Sequence, residues 1–373
     1  MIIYRALPMY DEYLSAFYAK HQINNAPFEK QMEMLRNDFF SSIDYNWATF
    51  NTDTDVQIFE TVDNDLYLQQ AYCNNSFIYD PDWRKRIVLK QVSDLQPHVC
   101  IIYPPEFYNK EFLDQLRERV HHKILIGGYD GMDRKNQTVF NGYDFVITCS
   151  DRISSFYRGV GIPSYALEFG FNQKILNSLN NDSKQYKVGF SGSINVNIHS
   201  DRLELLKYLV NKTPIAIRSS FTLGRYSLLS RKAIRSIKNG TFADFLSLRE
   251  IKRRNLGALF GMDMFQFLHD SKISLNLHGD KIKFAANIRL YEATGVGSCL
   301  LTDWKENIAD IFEPDKEIVT FSSKEEALDK IRFLLKHETV RQRIAEQGQK
   351  RTLSQYNEAN RIPGAIRFVK ELY

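Results

Sequence analysis

Asn287-Ile288-Arg289-Leu290-Tyr291-Glu292-Ala293-Thr294-Gly295-Val296-Gly297-Ser298-Cys299-Leu300-Leu301-Thr302-Asp303 is the stretch that decides the fold. It reads as a short helix, a glycine turn and a buried strand. Asn287, Arg289 and Glu292 form a polar edge beside the apolar Ile288, Leu290 and Tyr291. Arg289 and Glu292 are three apart, so a helix makes them surface neighbours. Gly295 and Gly297 permit tight backbone geometry, positive φ included. Cys299-Leu300-Leu301 has the unbroken apolar character of a strand covered on both faces. A carboxylate and a guanidinium at the mouth of a parallel sheet suit a nucleotide, because Glu accepts from ribose hydroxyls and Arg forks onto phosphate. The same letters also fit a generic helix–Gly–strand unit with a surface ion pair of little energetic weight.

The flanking sequence repeats this alternation. Upstream, strands are expected at Tyr186 to Ser191, Pro214 to Arg218 and Lys272 to Leu277, with helices at Arg202 to Val210 and Met264 to His269. Downstream come a strand at Glu317 to Phe321 and helices at Glu325 to Lys336 and Val340 to Leu353. An earlier series holds strands at Val99 to Tyr103, Lys123 to Gly128 (ending in a glycine turn) and Asp144 to Cys149. Its helices are Ile87 to Leu95, stopped by Pro97, Lys110 to Val120 and Ile153 to Gly159. Residues 1–75 are less patterned. Strands fit Met1 to Leu7 and Val56 to Phe59, and helices fit Phe28 to Phe40 and Asp65 to Tyr72. Strands alternating with helices imply parallel, doubly wound sheets. Asn180-Asn181-Asp182-Ser183 is a polar linker signal. The expected division is an acceptor-side domain over 1–180, a second domain over 181–352 and a helical tail over 353–373 that packs back on the first.

At 373 residues the chain is long enough for two domains. Its 43% hydrophobic and 25% charged residues are those of a globular enzyme, and a net charge of +4 does not argue for nucleic acid. Cys73, Cys100, Cys149 and Cys299 are scattered and make no C-x-x-C, so reduced, buried thiols in a cytosolic protein are expected. Arg5, Asp11 and Glu12 interrupt any leader-like apolar core, and no apolar run reaches the roughly 18 residues that span a bilayer. Residues 221–256 carry nine Lys/Arg against two acids, with interleaved Phe and Leu. That composition fits a solvated helical insertion, or a patch that meets an acceptor or the inner face of a membrane.

Four places can carry chemistry. Gly189-Phe190-Ser191-Gly192-Ser193 runs from a strand into a small-residue turn that a phosphate can approach, with His199 and Arg202 just beyond. His278 ends a strand and so lies at the carboxyl edge of its sheet. Asp130 holds the matching position in the first series, where it either takes a proton from an acceptor hydroxyl or caps the next segment. Asp53-Thr54-Asp55 and Asp63-Asn64-Asp65 have the spacing of divalent-metal carboxylates, but such tripeptides are common by chance.

With these residues in view, the chain resembles the spore-maturation-type (CgeB-like) branch of the group 1 bacterial glycosyltransferases. The match is strongest through Gly189–Ser193, His199, Arg202, Leu259–Met264, Ser271–Gly279, Asn287–Asp303, Glu317–Val319, Arg343–Leu353 and Arg361. It is looser through Trp83, the helix into Pro97, Tyr143-Asp144 and Phe169–Asn172. The resemblance implies the GT-B fold, two Rossmann-like doubly wound domains facing across a cleft. It implies transfer of a sugar from a nucleotide-sugar donor to a hydroxyl of a glycan, lipid-linked or protein acceptor, in bacterial surface glycan or glycoconjugate synthesis. The nucleotide sugar is then a co-substrate, with no cofactor, no metal and no nucleic acid. Gly192, Ser193, His199, Arg202 and Arg289 would surround the diphosphate, Glu292 the ribose, with Asn287 and Gly295 completing the donor site; Asp130 and His278 would be catalytic. One departure is plain: many retaining relatives carry a glutamate eight positions before the second, and here that position is Phe284. A nucleotide-sugar epimerase on the same fold and a non-catalytic nucleotide-sugar-binding or assembly protein are the alternatives.

Overall fold

The computed structural model describes residues 1–131, 138–180, 184–195, 199–222, 242–279 and 283–373. Two compact units result: Met1–Asn172 with Glu358–Tyr373, and Gln173–Asn357. Much of the basic stretch at 221–256, and the linker residues 181–183, lie outside the described residues.

The first unit is one parallel sheet of six strands: β1 (Ile2–Leu7), β2 (Gln57–Val62), β3 (Val99–Ile102), β4 (Leu125–Asp130), β5 (Phe145–Thr148) and β6 (Ser164–Ala166). Their order is β2-β1-β3-β4-β5-β6. Strand alternation sends Val99 and Ile101 to one apolar cluster and Cys100 and Ile102 to another, so both faces are covered. Helix Glu358–Leu372 delivers Ile362, Ala365, Ile366 and Val369 to the first of these clusters, one stripe at helical spacing.

The second unit is built likewise from β7 (Tyr186–Ser191), β9 (Ile215–Arg218), β11 (Ser271–Asn276), β12 (Cys299–Asp303) and β13 (Val319–Phe321). The parallel order is β13-β12-β11-β7-β9. A two-residue pair, β8 (Ile194–Asn195) with β10 (Phe221–Thr222), lies apart from it. The unit has one continuous core through Val188, Phe190, Ile273, Leu275, Leu301 and Val319. The fold class, α/β with parallel sheets, is that expected; the sheets have six and five strands.

Three local expectations change. Gly127 and Gly128 are interior to β4 and do not turn the chain. A Cβ on Gly127 would stand 2.2 Å from the Phe145 ring on the next strand, so glycine there makes room for an aromatic. Helix Asp11–His21 has no counterpart in the expected pattern, because its buried residues are mostly aromatic, Tyr13, Leu14, Phe17 and Tyr18. In the deciding stretch, the helix runs Arg289–Gly295 and the positive φ falls on Gly297 alone, at 75°. All four cysteines are buried and unpaired with each other. Among the described residues no helix is long and apolar enough to cross a membrane.

Helix Glu338–Gln355 packs on helix Arg289–Gly295, and Gly348 sits at the close approach. A Cβ there would lie 2.3 Å from the Glu317 carbonyl oxygen, a backbone atom that cannot swing aside. An exposed helical Gly→Ala exchange ordinarily stabilises by about 0.5–1 kcal/mol. Gly348→Ala is expected to do the reverse, costing about 1–3 kcal/mol by overpacking. Thermal melting reads the sign directly, and a raised melting temperature would contradict the packing described.

Candidate functional site

Numbered within the second unit, its strands run 2-1-3-4-5. The chain therefore leaves β7 toward β9 on one side and later returns to β11 on the other. Between β7 and β11 the connections diverge, and open α/β sheets bind ligands in the crevice outside the carboxyl ends at such a switch. Ser191-Gly192-Ser193 ends β7, Leu277-His278 follows β11, and Asp303 ends β12.

Arg202, from helix Ser200–Val210, braces this edge. Its Nη1 donates to the Ser193 carbonyl at 2.6 Å and its Nη2 to the Leu277 carbonyl at 2.8 Å. The guanidinium is buried and ties the two strand-end loops together. His199 immediately precedes that helix, and its carbonyl accepts from the Leu203 amide. The Gly192 amide donates to the Arg218 carbonyl at 3.2 Å.

His278 is buried, and its Nδ1 lies 2.7 Å from Asp303 Oδ1, which also accepts the His278 backbone N–H at 3.0 Å. Lys305 Nζ stands 3.0 Å from the other Asp303 oxygen. Burial pushes the Asp303 carboxyl up, but the bonds from His278 and Lys305 outweigh it and hold it down at about 2. A polar chain continues sideways. The Asn276 side-chain amide donates to Thr302 Oγ1 at 3.0 Å, and Asn287 donates to Asn276 Oδ1 at 3.2 Å. Asn287 Oδ1 in turn accepts the Arg289 amide at 2.8 Å, opening helix Arg289–Gly295.

On that helix Arg289 Nη1 and Glu292 Oε2 are 2.7 Å apart, and Arg289 also touches the Met264 sulfur. The contact is an ion pair without the geometry of a hydrogen bond, and Glu292 Oε2 has no hydrogen-bond partner. Burial raises the Glu292 carboxyl above its ordinary range, with Arg289 only partly opposing. A desolvated carboxylate with a spare acceptor is one that a hydroxyl-bearing ligand would relieve.

The structure thus gathers Gly192, Ser193, His199, Arg202, His278, Asn287, Arg289 and Glu292 on the second unit's carboxyl edge. It does not bring Gly295 there. The helix Arg289–Gly295 carries the chain about 9 Å toward the opposite edge, where the Gly295 carbonyl accepts from Gln349 Nε2 at 2.9 Å. Asp130 belongs to the first unit, at the end of β4. It is buried and accepts the Tyr157 hydroxyl at 2.7 Å. Asp303, Lys305, Asn276 and Met264 were not singled out from sequence. Asp303 and His278 become visible as a pair only once β11 and β12 are known to be neighbours, with Asn276 opposite Thr302.

The two acidic tripeptides have other partners. Asp63 is held by Arg84 at 2.7 Å and by the Tyr108 hydroxyl; Asp65 caps helix Leu66–Cys73. Lys370 pairs with Asp53 and Asp55. No group of three or more His, Cys, Asp or Glu that could hold a metal occurs among the described residues. A cavity of about 480 Å³ lies at the amino edge of the second unit's sheet, lined by Lys184, Lys272, Arg341 and Gln349 among others. Burial lowers the Lys184 ammonium to about 8, and its Nζ donates to the His269 and Gly297 carbonyls.

A family described as glycosyl transferase-like matches residues 230–365. No curated protein matches the chain. Among solved structures, Anabaena HepE, crystallised with UDP and glucose, aligns at TM-score 0.60 and 11% identity over 100% of both chains. A glycosyltransferase from Rickettsia africae aligns at TM-score 0.60 and 8% identity over 100% of this chain and 98% of that one. TarM of S. aureus, crystallised with fondaparinux, α-GlcNAc-glycerol and UDP, aligns at TM-score 0.52 and 10% identity over 76% of this chain, which spans 58% of TarM. The fold is GT-B, shared with glycosyltransferases.

The depressed Asp303 carboxyl has a consequence for acid stability. Its native value near 2 lies below the ordinary 3.8, so its contribution is present above about pH 4 and is lost as pH falls toward 2. The wild type is expected to lose about 2 kcal/mol more than Asp303→Asn across that window. Denaturant melts at pH 5 and pH 2.5 check this, and equal losses in both proteins would contradict it.

Proposed function

We propose that this chain is a glycosyltransferase of the CgeB-like kind, moving a sugar from a nucleotide-sugar donor to a hydroxyl acceptor, in bacterial surface glycan or glycoconjugate synthesis. The observation that carries the reading is Glu292. It is a buried carboxylate with a spare acceptor, at a sheet switch point, inside the stretch that the glycosyl transferase-like family matches. Glu292 accepts from the ribose hydroxyls. The Ser191–Ser193 turn, Arg289 and His199 face the diphosphate, and Arg202 holds the turn in place. Stabilisation of the departing diphosphate comes from cationic side chains and aligned amides, with no metal and no cofactor beyond the co-substrate. The acceptor, a glycan, lipid-linked or protein hydroxyl, belongs to the first unit. There Asp130 is the candidate base, reached after Tyr157 releases it.

HepE and TarM were each crystallised with UDP, so UDP and its sugar conjugates lead a thermal-shift screen of nucleoside diphosphates, run with and without a chelator. A ligand that binds only the native state raises the melting temperature by mass action. A shift is expected with one nucleotide family, unchanged by chelator. Glu292→Ala is expected to weaken that binding by about 1.5–3 kcal/mol, the size of a charge-assisted hydrogen bond. Unchanged nucleotide affinity would remove Glu292 from the ribose.

Asp130→Asn is expected to lower turnover while donor affinity and melting temperature stay near the wild type's. Full turnover would remove Asp130 from the chemistry.

A further inference from the structure

His278 has one ring nitrogen accounted for and one not. Nδ1 faces Asp303 Oδ1 at 2.7 Å, and Nε2 is buried with no hydrogen-bond partner. Buried polar atoms without partners are rare and costly, so each calls for a reason. Asp303 supplies the first half of it. Its Oδ1 already accepts the His278 backbone N–H at 3.0 Å, the Thr302 hydroxyl contacts it at 3.3 Å, and Lys305 holds Oδ2 at 3.0 Å. Every one of these partners donates, so the carboxylate is ionised and has no proton to give. Nδ1 must therefore carry the hydrogen in that contact. In the neutral ring, which has a single N–H, Nε2 is then a lone-pair acceptor; in the imidazolium it would be a second donor.

An acceptor at this edge is selective in what it can meet. Phosphate oxygens are also acceptors, and two acceptors repel. Hydroxyls donate. Glu292, on the neighbouring helix, already serves the ribose under the reading above, so the remaining hydroxyls of a nucleotide sugar are those of the sugar itself. We propose that His278 is neutral and that Asp303 fixes it in its Nδ1–H tautomer, so that Nε2 accepts a hydroxyl of the transferred sugar. His278 is then a determinant of donor-sugar specificity and Asp303 its positioning residue. This rests on the carboxyl edge of the second unit being the nucleotide-sugar site.

The test compares each nucleotide sugar with its bare diphosphate: UDP-glucose and UDP-N-acetylglucosamine against UDP, and GDP-mannose against GDP. Affinities are measured by calorimetry on wild type, His278→Ala and Asp303→Asn, with melting temperatures recorded for all three. Nitrogen NMR of histidine-labelled protein, with His278→Ala to assign the signal, reports the tautomer. The expected wild type shows the Nδ1–H form. His278→Ala is expected to weaken the preferred nucleotide sugar about three- to tenfold, the worth of one neutral hydrogen bond. The bare diphosphate should stay within about twofold. Asp303→Asn should reproduce that selective loss and shift the tautomer signal, which a purely structural role would not do.

Equal weakening of sugar conjugate and diphosphate would overturn the inference, placing His278 on phosphate or in the scaffold. An Nε2–H signal in wild type would overturn it as well. Failure of the wild type to bind any diphosphate would instead overturn the nucleotide reading on which it rests.

Discussion

The pairing of β7 with β11 is the contact on which the second unit depends. Val188 lies opposite Ile273 and Phe190 opposite Leu275, although roughly eighty residues of chain separate the two strands. The approach is close enough to need glycine: a Cβ on Gly189 would stand 2.1 Å from Ser271 Oγ. With that pair fixed, β9 falls on one side and β12 and β13 on the other. The connections must then part above the β7–β11 seam, and the crevice there is a product of strand order rather than of any one residue.

What fills the edge of that crevice is charge held at a cost. Arg202 is buried and gives one donor to each of two backbone carbonyls, which fixes the loops. Glu292 and His278 differ. Each is buried and has an acceptor atom without a hydrogen-bond partner, Glu292 Oε2 being held only in its ion pair with Arg289. Desolvating such atoms works against folding, and a ligand carrying hydroxyls returns what burial removed. The fully satisfied Asn287–Asn276–Thr302 chain between them keeps both side chains in register with the sheet edge.

The fold was legible because parallel sheets buried on both faces write themselves as unbroken apolar runs. Val99–Ile102 and Cys299–Leu301 needed no tertiary information to be recognised as strands. The aromatic helix Asp11–His21 was not legible, since Tyr and Phe serve strands and helices alike. Gly127 and Gly128 misled because a glycine that relieves crowding from Phe145 looks the same in sequence as one that turns the chain. In the candidate site, Glu292, Arg289 and His278 could be read from spacing and strand ends. Asp303, the partner of His278, could not, because that pairing depends on which strands are neighbours, a property of the sheet and not of either segment. Gly295 read as part of the site because it is close to Glu292 in sequence, whereas it ends the helix, where its carbonyl turns to Gln349 and not to the carboxyl edge.

On the proposed function, the carboxyl edge of β7, β11 and β12 receives the nucleotide. A crystal structure of the chain soaked with the nucleoside diphosphate that stabilises it most tests this directly. Ribose hydroxyls are expected within hydrogen-bond distance of Glu292, and the diphosphate beside the Ser191–Ser193 turn. A nucleotide seated at the opposite edge of the sheet, in the cavity lined by Lys184 and Arg341, would contradict it.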